Sequence, residues 1–253
     1  MDAPVVSSDV LPLSEDGIQT IRLSPDHRPI FLRSKAKSDI RHVGEQVWRG
    51  SILMSSYMIE HSEDFEEKTL IEIGCGTGLL SILACQLGAH VIATDYLEEV
   101  LNLARANAER NGIPENQIRF QKLDLLDEEA IDTLCSTSPS VDWVIASDMI
   151  YDELLTESFC YVMASSLRHF DCYCLLSGEH RFNFLASSLS TVDYEFGVFK
   201  QFVCFKEACW NAYSREGSAR PSTRRRCDCG CLLLAKPLLQ QQNDYILLLS
   251  SVY

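Results

Sequence analysis

The sequence predicts an α/β fold: a doubly wound, mostly parallel sheet of seven strands with helices on both faces. From residue 45 onward, short apolar segments alternate with segments of helix length, which is the pattern of repeated βαβ units. Several of the short segments are apolar throughout, as expected for parallel strands that are buried on both faces. At 253 residues, the chain is long enough for one such domain and an extension.

The individual elements follow from length and periodicity. Strands are predicted where short runs are apolar and rich in β-branched or aromatic residues. These runs are 69–73, 90–94, 118–123, 141–147, 172–177, 198–206 and 245–252. Helices are predicted where apolar residues recur every three or four positions. These segments are 51–60, 79–88, 98–112, 126–135, 155–170 and 180–192.

Two regions depart from this alternation. Residues 1–40 are predicted to form an N-terminal extension with a β-hairpin, because the β-prone runs 18–24 and 29–33 flank the turn-forming pair Pro25-Asp26. Residues 207–244 show no period and contain several arginines and cysteines, so we predict a long irregular insert there. The apolar run 232–239 within it fits a loop poorly.

The composition excludes several classes of protein. The chain is 46% hydrophobic and 23% charged, as in globular rather than disordered proteins. Its formal net charge of −14 disfavours general binding to nucleic acids, whose phosphates are negative, and favours a basic protein partner. No apolar run approaches the roughly 18 residues of a membrane span, and the N-terminus shows no secretory signal. We therefore expect no association with membranes.

The cysteines indicate a reducing environment. Eleven cysteines are too few for a disulfide scaffold, and their number is odd. Several lie in apolar runs, where a reduced cysteine behaves as a small hydrophobic residue. We expect the protein in the cytoplasm and/or the nucleus. Cys227, Cys229 and Cys231 alternate along the chain, and in an extended segment their side chains would lie about 7 Å apart, too far to chelate one Zn²⁺. No metal site is predicted.

The segment from residue 69 to residue 88 carries the strongest functional signal. A predicted buried strand leads into Gly74-Cys75-Gly76-Thr77-Gly78 and then directly into a helix. Glycine is needed where the backbone turns sharply or where a ligand must contact it, because a Cβ atom would collide. The helix N-terminus offers free N–H groups to an anionic group. Asp95 ends the second of these strands, where a carboxylate accepts hydrogen bonds from both ribose hydroxyls.

The spacing of the glycines distinguishes nucleotide classes. A dinucleotide fingerprint requires a third glycine five positions after the first, but residue 79 is leucine. A P-loop requires Gly-Lys-Ser/Thr, which the sequence lacks. The pattern G-x-G-x-G, with Asp95 after the next strand, resembles motif I and the acidic loop of class I S-adenosylmethionine (SAM) methyltransferases. It implies SAM as cofactor and S-adenosylhomocysteine as product. A structural turn followed by a surface aspartate is the alternative.

Two further motifs narrow the resemblance. Gln46-Val47-Trp48-Arg49-Gly50 precedes a predicted helix, and Ser147-Asp148-Met149-Ile150-Tyr151 ends the fourth main strand. In this order around the glycine loop, they resemble the seven-β-strand protein-lysine methyltransferases, which carry a D/E-x-x-Y/F motif. The resemblance covers roughly residues 41–206. It implies a Rossmann-like class I methyltransferase domain, assigned to residues 41–253, whose last strand is antiparallel.

The resemblance also implies roles for individual residues. Asp148 and Tyr151 would form the catalytic motif. The residues implied to bind the cofactor are Trp48, Glu72, Gly74, Cys75, Gly76, Gly78, Asp95, Asp124, Leu125 and Ser147. Many members of the family have tryptophan at the position of Leu125, and leucine has no π-face with which to stack on adenine.

The acceptor is predicted to be a lysine amine of a protein. Methyltransferases that act on amines of nucleic-acid bases carry D/N-P-P-Y/F/W at this strand end, where the prolines fix a carbonyl and the ring stacks on the base. Here Met149 and Ile150 replace the prolines, so a planar base loses its clamp and a nucleic-acid substrate is not expected.

Several points stay open on the sequence. Asp148 would either dock the amine or act as a general base. The lysine is expected in a basic context, and the protein is expected to be monomeric. A small-molecule amine as acceptor, and a SAM-binding scaffold without turnover, are the alternatives to a protein-lysine methyltransferase.

Overall fold

A computed structural model describes residues 9–35, 43–149, 153–170, 172–179, 232–241 and 244–252. The first of these ranges forms a small antiparallel sheet of three strands, β1 (Asp9–Val10), β2 (Ile18–Arg22) and β3 (Ile30–Arg33). Strands β2 and β3 pair directly across the turn predicted from the sequence. The expected hairpin is therefore present in the N-terminal extension, with β1 added to its edge.

The main sheet has seven strands in the order β6-β5-β4-β7-β8-β10-β9. Its strands are β4 (Thr69–Ile73), β5 (His90–Asp95), β6 (Ile118–Lys122), β7 (Trp143–Ser147), β8 (Tyr173–Glu179), β9 (Leu232–Gln241) and β10 (Asp244–Val252). The helices of the described ranges are α1 (Arg49–Glu60), α2 (Leu79–Gln86), α3 (Glu98–Arg110), α4 (Glu128–Thr137) and α5 (Glu153–His169). The helix predicted at 180–192 and the strand predicted at 198–206 lie outside the described residues.

The strand order is that of a doubly wound sheet. Strands β4 to β8 are parallel, and β10 is antiparallel to both of its neighbours, as the family resemblance implied. From β4 the chain runs outward to β5 and β6, and it then returns to place β7 on the other side of β4. The carboxyl ends of β4 and β7 therefore meet where the direction of winding reverses. In sheets of this kind, ligands bind at that point.

Helices cover both faces of the sheet. On one face, a hydrophobic core joins the small N-terminal sheet to α1, α2 and α3 through residues such as Ile21, Met54 and Leu83. On the other face, α4 and α5 contribute Ile131 and Met163 to a second core. Adjacent residues of β4 belong to different cores because side chains alternate along a strand. None of the helices in the described ranges is long and apolar enough to cross a bilayer.

Residues 232–241 were expected within an irregular insert, and the structure corrects this expectation: they form β9. The strand contains Pro237, although proline cannot donate a hydrogen bond to a neighbouring strand. In the described part of the sheet, β9 is an edge strand. The register of β9 against β10 shifts between Ile246 and Leu247, and Leu247 is the residue opposite Pro237. An edge position and an irregularity in the pairing are the places where a sheet tolerates proline.

Two asparagines of α3 attach the small sheet to the main domain. The Asn107 amide accepts a hydrogen bond from the Arg33 N–H (2.8 Å) and donates one to the Arg33 carbonyl (3.1 Å), as a neighbouring strand would. Asn111 makes the same pair of bonds with Phe31, at 2.9 and 2.7 Å. The Asn107 amide also donates to the carbonyl of Thr77 in the glycine loop, at 2.9 Å. Residue spacing explains why both pairs of bonds form. Asn107 and Asn111 are four positions apart and so share one face of α3, while Phe31 and Arg33 are two positions apart and so share one edge of β3.

We expect Asn107→Ala to lower the free energy of unfolding by about 2–4 kcal/mol, because three backbone groups lose their partner in a buried setting. Urea unfolding measures the change. Asn102→Ala on the same helix is the matched control, because Asn102 is exposed and bonds only to Arg105 among the described contacts. We expect the control to stay within about 0.5 kcal/mol of the wild type. Equal unfolding midpoints for the two variants would contradict the proposed attachment.

Glu72 places a carboxyl group in the core at the centre of the sheet. Its side chain is 2% exposed, and the Ser81 hydroxyl of α2 donates a hydrogen bond to Glu72 Oε2. Burial raises the pKa of Glu72 to about 8, and the bond from Ser81 lowers it by less than burial raises it. At neutral pH the carboxyl group is therefore protonated in the folded protein, whereas in the unfolded chain it is ionised.

This difference makes stability depend on pH. Because the pKa of Glu72 in the folded state lies above its ordinary value, folding retains a proton that unfolding releases, and stability falls as pH rises between about 4.5 and 8. Glu72→Gln removes this titration. We expect the unfolding free energy of the wild type to fall relative to that of Glu72→Gln by on the order of 4 kcal/mol between pH 5 and pH 8. Urea unfolding measures both free energies across that range. If the values for the wild type and for Glu72→Gln change with pH in parallel, Glu72 is ionised in the folded protein.

Candidate functional site

The glycine loop, residues 74–78, follows β4 and is fixed to the neighbouring strand. The Cys75 N–H donates to the carbonyl of Thr94 in β5, at 2.8 Å. Gly74 and Gly76 have φ values of +72° and +52°, a region that favours glycine. A Cβ atom at position 74 would collide with Met149 Sδ, and one at position 76 would lie 3.1 Å from the Gly44 carbonyl oxygen. The backbone conformation therefore favours glycine at both positions, and a side chain there would also displace Met149 or press on the Gly44 carbonyl.

Asp95 stands beside this loop at the end of β5. Its Oδ2 accepts a hydrogen bond from the Gly76 N–H at 3.0 Å, and its Oδ1 accepts one from the Leu97 N–H at 3.3 Å. Burial raises the pKa of Asp95, while the backbone donors oppose that shift. An ionised carboxylate offers about four acceptor positions, so each oxygen retains capacity for one more donor. The two hydroxyls of a ribose match that remaining capacity.

The other acids and thiols of this region are internal. Glu72 precedes the loop in β4, and its carboxyl group is committed to Ser81 of α2. Cys75 is 5% exposed, and burial raises the pKa of its thiol well above the ordinary value. The structure therefore places both side chains inside the protein. Their predicted contact with a cofactor stays a prediction.

The segment before α1 closes over the glycine loop. A short helical turn spans Val43–Glu45, and its Gly44 packs between Gly76 and Val100 of α3. Trp48 Nε1 donates to the Val43 carbonyl at 2.8 Å and so fixes this turn. Trp48 is thus half-buried on the segment that contacts the loop, which is consistent with its predicted place near the cofactor.

Asp148 follows β7 directly and is 9% exposed. Its Oδ2 accepts a hydrogen bond from the Gly50 N–H in the first turn of α1, at 2.8 Å. Its own N–H donates to the Ser177 carbonyl of β8, at 2.9 Å. The next residue, Met149, packs against Gly74, and this contact brings the predicted acceptor motif onto the glycine loop. Tyr151 lies outside the described residues.

Three further predicted cofactor residues lie at the same edge of the sheet. Ser147 is the last residue of β7 and pairs with Ser177 of β8. Asp124 follows β6, and its Oδ1 accepts from the Leu126 N–H at 3.0 Å to form a turn. Leu125 is buried in the core shared with α4 and α5. Contact of these three residues with a cofactor stays a prediction.

Sequence reasoning gave no role to Gly50, Ser177 or Asn107, yet these residues hold the site together. Asn107 binds the glycine loop through Thr77, and Gly50 and Ser177 both contact Asp148. One signal was available: Ser177 is a polar residue at the carboxyl end of a predicted buried strand, which is the functional edge of such a sheet. Asn107 offered no comparable signal, because its partners are far away in sequence.

Curated relatives of the chain are methyltransferases. Human methyltransferase-like protein 22 is 30% identical over 185 residues, which cover 62% of this chain and 43% of that protein. On the sequence, the segments VWRG, YDELLTESF and GEHRFNF predicted a likeness to this relative. Mouse protein-lysine methyltransferase METTL21E is 35% identical over 111 residues, covering 43% of this chain and 45% of that protein. The chain thus spans less than half the length of these relatives.

A solved structure shares the fold at much lower sequence identity. Magnesium protoporphyrin IX methyltransferase from Synechocystis PCC 6803, crystallised with S-adenosylhomocysteine, superposes with a TM-score of 0.51 at 17% identity, covering 86% of this chain and 89% of that one. This similarity supports the Rossmann-like class I methyltransferase fold and nothing finer. Residues 31–188 match the sequence profile described as lysine methyltransferase, which covers more than half of the chain. The chain therefore belongs to the lysine methyltransferase family.

Proposed function

We propose that this chain transfers a methyl group from SAM to the side-chain amine of a lysine in a protein substrate. The observation that carries the proposal is the packing of Met149 against Gly74, which brings the segment that contains the buried Asp148 onto the glycine loop. An anionic group and a nucleotide-type loop then share one small region. Family membership and the names of the relatives support the same activity.

The residues at the loop suit SAM better than a phosphorylated nucleotide. The Asp95 carboxylate has acceptor capacity for ribose hydroxyls, and the glycines leave room for a ligand at the backbone. Glu98 and Glu99 follow in the first turn of α3 and add negative charge at this edge. A triphosphate or pyrophosphate would be repelled there, whereas a sulfonium cation would not. Trp48, Asp124, Leu125 and Ser147 complete the proposed cofactor site.

The cofactor supplies an electrophilic methyl group, and its transfer to nitrogen forms an N–C bond and leaves the C–S electron pair on sulfur. The protein must bind the lysine and align it, which is the main source of rate in such a displacement. A lysine is protonated at neutral pH, so the amine has to release a proton, to water, before its lone pair can react. Asp148 attracts the cationic form and orients it. Desolvation beside a positive sulfonium then favours the neutral amine.

A protein lysine is the acceptor that the remaining features favour. The net charge of −14 attracts a basic segment and repels nucleic acid. Met149 and Ile150 provide no proline clamp for a planar base. We therefore propose that the modified lysine lies in a basic context. Sequencing the labelled peptide tests this point, since acidic flanking residues would contradict it.

Two further proposals concern the cellular compartment and the oligomeric state. A reducing compartment, the cytoplasm and/or the nucleus, is supported by five buried cysteines with free thiols: Cys75, Cys85, Cys135, Cys172 and Cys174. A monomer is proposed as the working unit. Localisation of a tagged chain and light scattering test these two points. A secretory location would contradict the first proposal and a stable dimer the second.

We expect Asp95→Ala to weaken binding of S-adenosylhomocysteine by roughly 10- to 150-fold, because hydrogen bonds to a charged group contribute about 1.5–3 kcal/mol. Isothermal titration calorimetry measures the change. Asp127→Ala is the matched control: Asp127 also accepts a backbone hydrogen bond, from the Ala130 N–H at 3.0 Å, but it caps α4 at an exposed position. The control should bind as the wild type does. An unchanged affinity in a folded Asp95→Ala protein would remove Asp95 from the ribose site.

We expect Asp148→Ala to lose methyl transfer by at least about 100-fold, because the acceptor amine loses the group that orients it. Binding of S-adenosylhomocysteine should stay within about threefold of the wild type. The assay uses labelled SAM with a cell extract, followed by mass spectrometry of the labelled band. Asp142→Ala is the matched control, since Asp142 accepts the Thr69 N–H at 2.9 Å at the amino-terminal ends of β4 and β7, away from the glycine loop.

The same assay separates the alternatives for the wild type. Label on a protein lysine supports the proposed function, and label on a small metabolite would replace it with amine methylation of another class. Binding of SAM without labelling of any protein or metabolite would show that the chain is a SAM-binding scaffold without turnover. Full activity in a folded Asp148→Ala protein would show that the D-x-x-Y motif is misassigned.

A further inference from the structure

Hydrogen bonds connect Asp148 with Gly50 and Ser177 in a ring, and the three residues come from different parts of the fold. Gly50 of α1 donates its N–H to Asp148 Oδ2 at 2.8 Å. Ser177 of β8 donates its hydroxyl to the Gly50 carbonyl at 2.8 Å. The Asp148 N–H donates to the Ser177 carbonyl at 2.9 Å. These bonds tie the start of α1 to the ends of β7 and β8.

The packing around Gly50 leaves no room for a side chain. A Cβ atom at position 50 would collide with Asp148 Oδ2 and would lie 3.0 Å from the Cα atom of Gly178. Gly50 is buried, and Ser177 is 2% exposed. Neither Asp148 nor the backbone of β8 can therefore retreat into solvent if the residue at position 50 is enlarged.

The backbone of Asp148 is strained. Its φ of +54° lies in the left-handed region, which non-glycine residues adopt rarely. Such a conformation costs free energy and persists only where the surrounding structure enforces it. The three hydrogen bonds among Asp148, Gly50 and Ser177 hold the Asp148 backbone in this conformation. The strain indicates that this strand end serves to aim a carboxylate, because a glycine here would adopt the same backbone without cost.

We infer that Gly50 and Ser177 are positioning residues for methyl transfer, which hold the Asp148 carboxylate as a fixed anion facing the acceptor amine. The inference rests on the proposed function, and it adds which residues orient the Asp148 carboxylate. The donor at Gly50 lies in the first turn of a 12-residue helix, where the helix dipole favours negative charge. That setting stabilises the ionised carboxylate, which suits docking of an ammonium better than removal of its proton.

The test compares Gly50→Ala, Ser177→Ala and a control, Ser55→Ala, with the wild type in the labelled-SAM assay. A cell extract is the source of acceptor protein. In Gly50→Ala the new methyl group displaces the carboxylate, and an error of about 1 Å in such a site costs roughly 100-fold in rate. In Ser177→Ala one hydrogen bond is lost, and we expect a decrease of about 2- to 12-fold. Both variants should bind S-adenosylhomocysteine within about threefold of the wild type.

Ser55→Ala is the matched control for a purely structural effect. Ser55 is fully buried in α1 like Ser177 in β8, and its hydroxyl also bonds a carbonyl of that helix, that of Ser51 at 2.7 Å. Its loss should lower stability about as much as Ser177→Ala does and leave the rate of methyl transfer unchanged. Equal rates in Ser55→Ala and Ser177→Ala would reduce Ser177 to a structural residue and overturn its part of the inference.

A second measurement covers the case in which Gly50→Ala fails to fold. In ¹⁵N-labelled protein, the Gly50 amide resonance should move upfield in Asp148→Asn, because the donor faces a neutral group in place of a carboxylate. An unmoved resonance would show that the bond is absent and would overturn the inference. A wild type that labels no lysine refutes the proposed function and the inference together. An active wild type with a fully active, folded Gly50→Ala refutes the inference alone.

Discussion

Strands β4 and β7 are hydrogen-bonded neighbours, so the segments that leave their carboxyl ends must share one small space. Gly74 leaves β4 and Met149 lies just beyond β7, and a side chain at position 74 would collide with the Met149 sulfur. The absence of a Cβ atom at position 74 leaves the space that the Met149 side chain occupies. The pairing of β4 with β7 thus sets the glycine loop and the acidic motif against each other, and the hydrogen bonds of Asp95 and Asp148 are built around these two strand ends.

The N-terminal sheet supports this arrangement from the other side. Asn107 joins the edge of β3 to the glycine loop through Arg33 and Thr77, and Gly44 fills the space between Gly76 and α3. The extension that the sequence analysis separated at residue 40 is thus bonded to the loop of the main domain. Buried amide bonds of this kind are costly to leave unpaired, so the sheet and the loop stabilise each other.

The sequence predicted the parts of the structure that depend on local periodicity. Strand β4 and the glycine loop follow from runs of adjacent residues, and the predicted position of the first hairpin agrees with the structure for the same reason. The bond from Gly50 to Asp148 joins residues 98 positions apart, and no local pattern encodes it. Strand β9 was missed because its apolar run, 232–239, lies in a segment without a clear period. The tolerance of Pro237 at a sheet edge is a property of the assembled sheet, which no local pattern shows.

The two carboxylates of the site are oriented in the same way. Asp95 is held by the Gly76 N–H and Asp148 by the Gly50 N–H, each at the end of a parallel strand. In both cases glycine allows the close approach, and the N–H fixes the carboxylate without neutralising it. Hydrogen bonds to a carboxylate favour its charged form, and at Asp95 they oppose the rise in pKa that burial causes. This favours two binding roles, one for the hydroxyls of a ribose and one for a cationic amine. Under the proposed function, the proton of the lysine would then leave to water, and the protein would contribute alignment and charge.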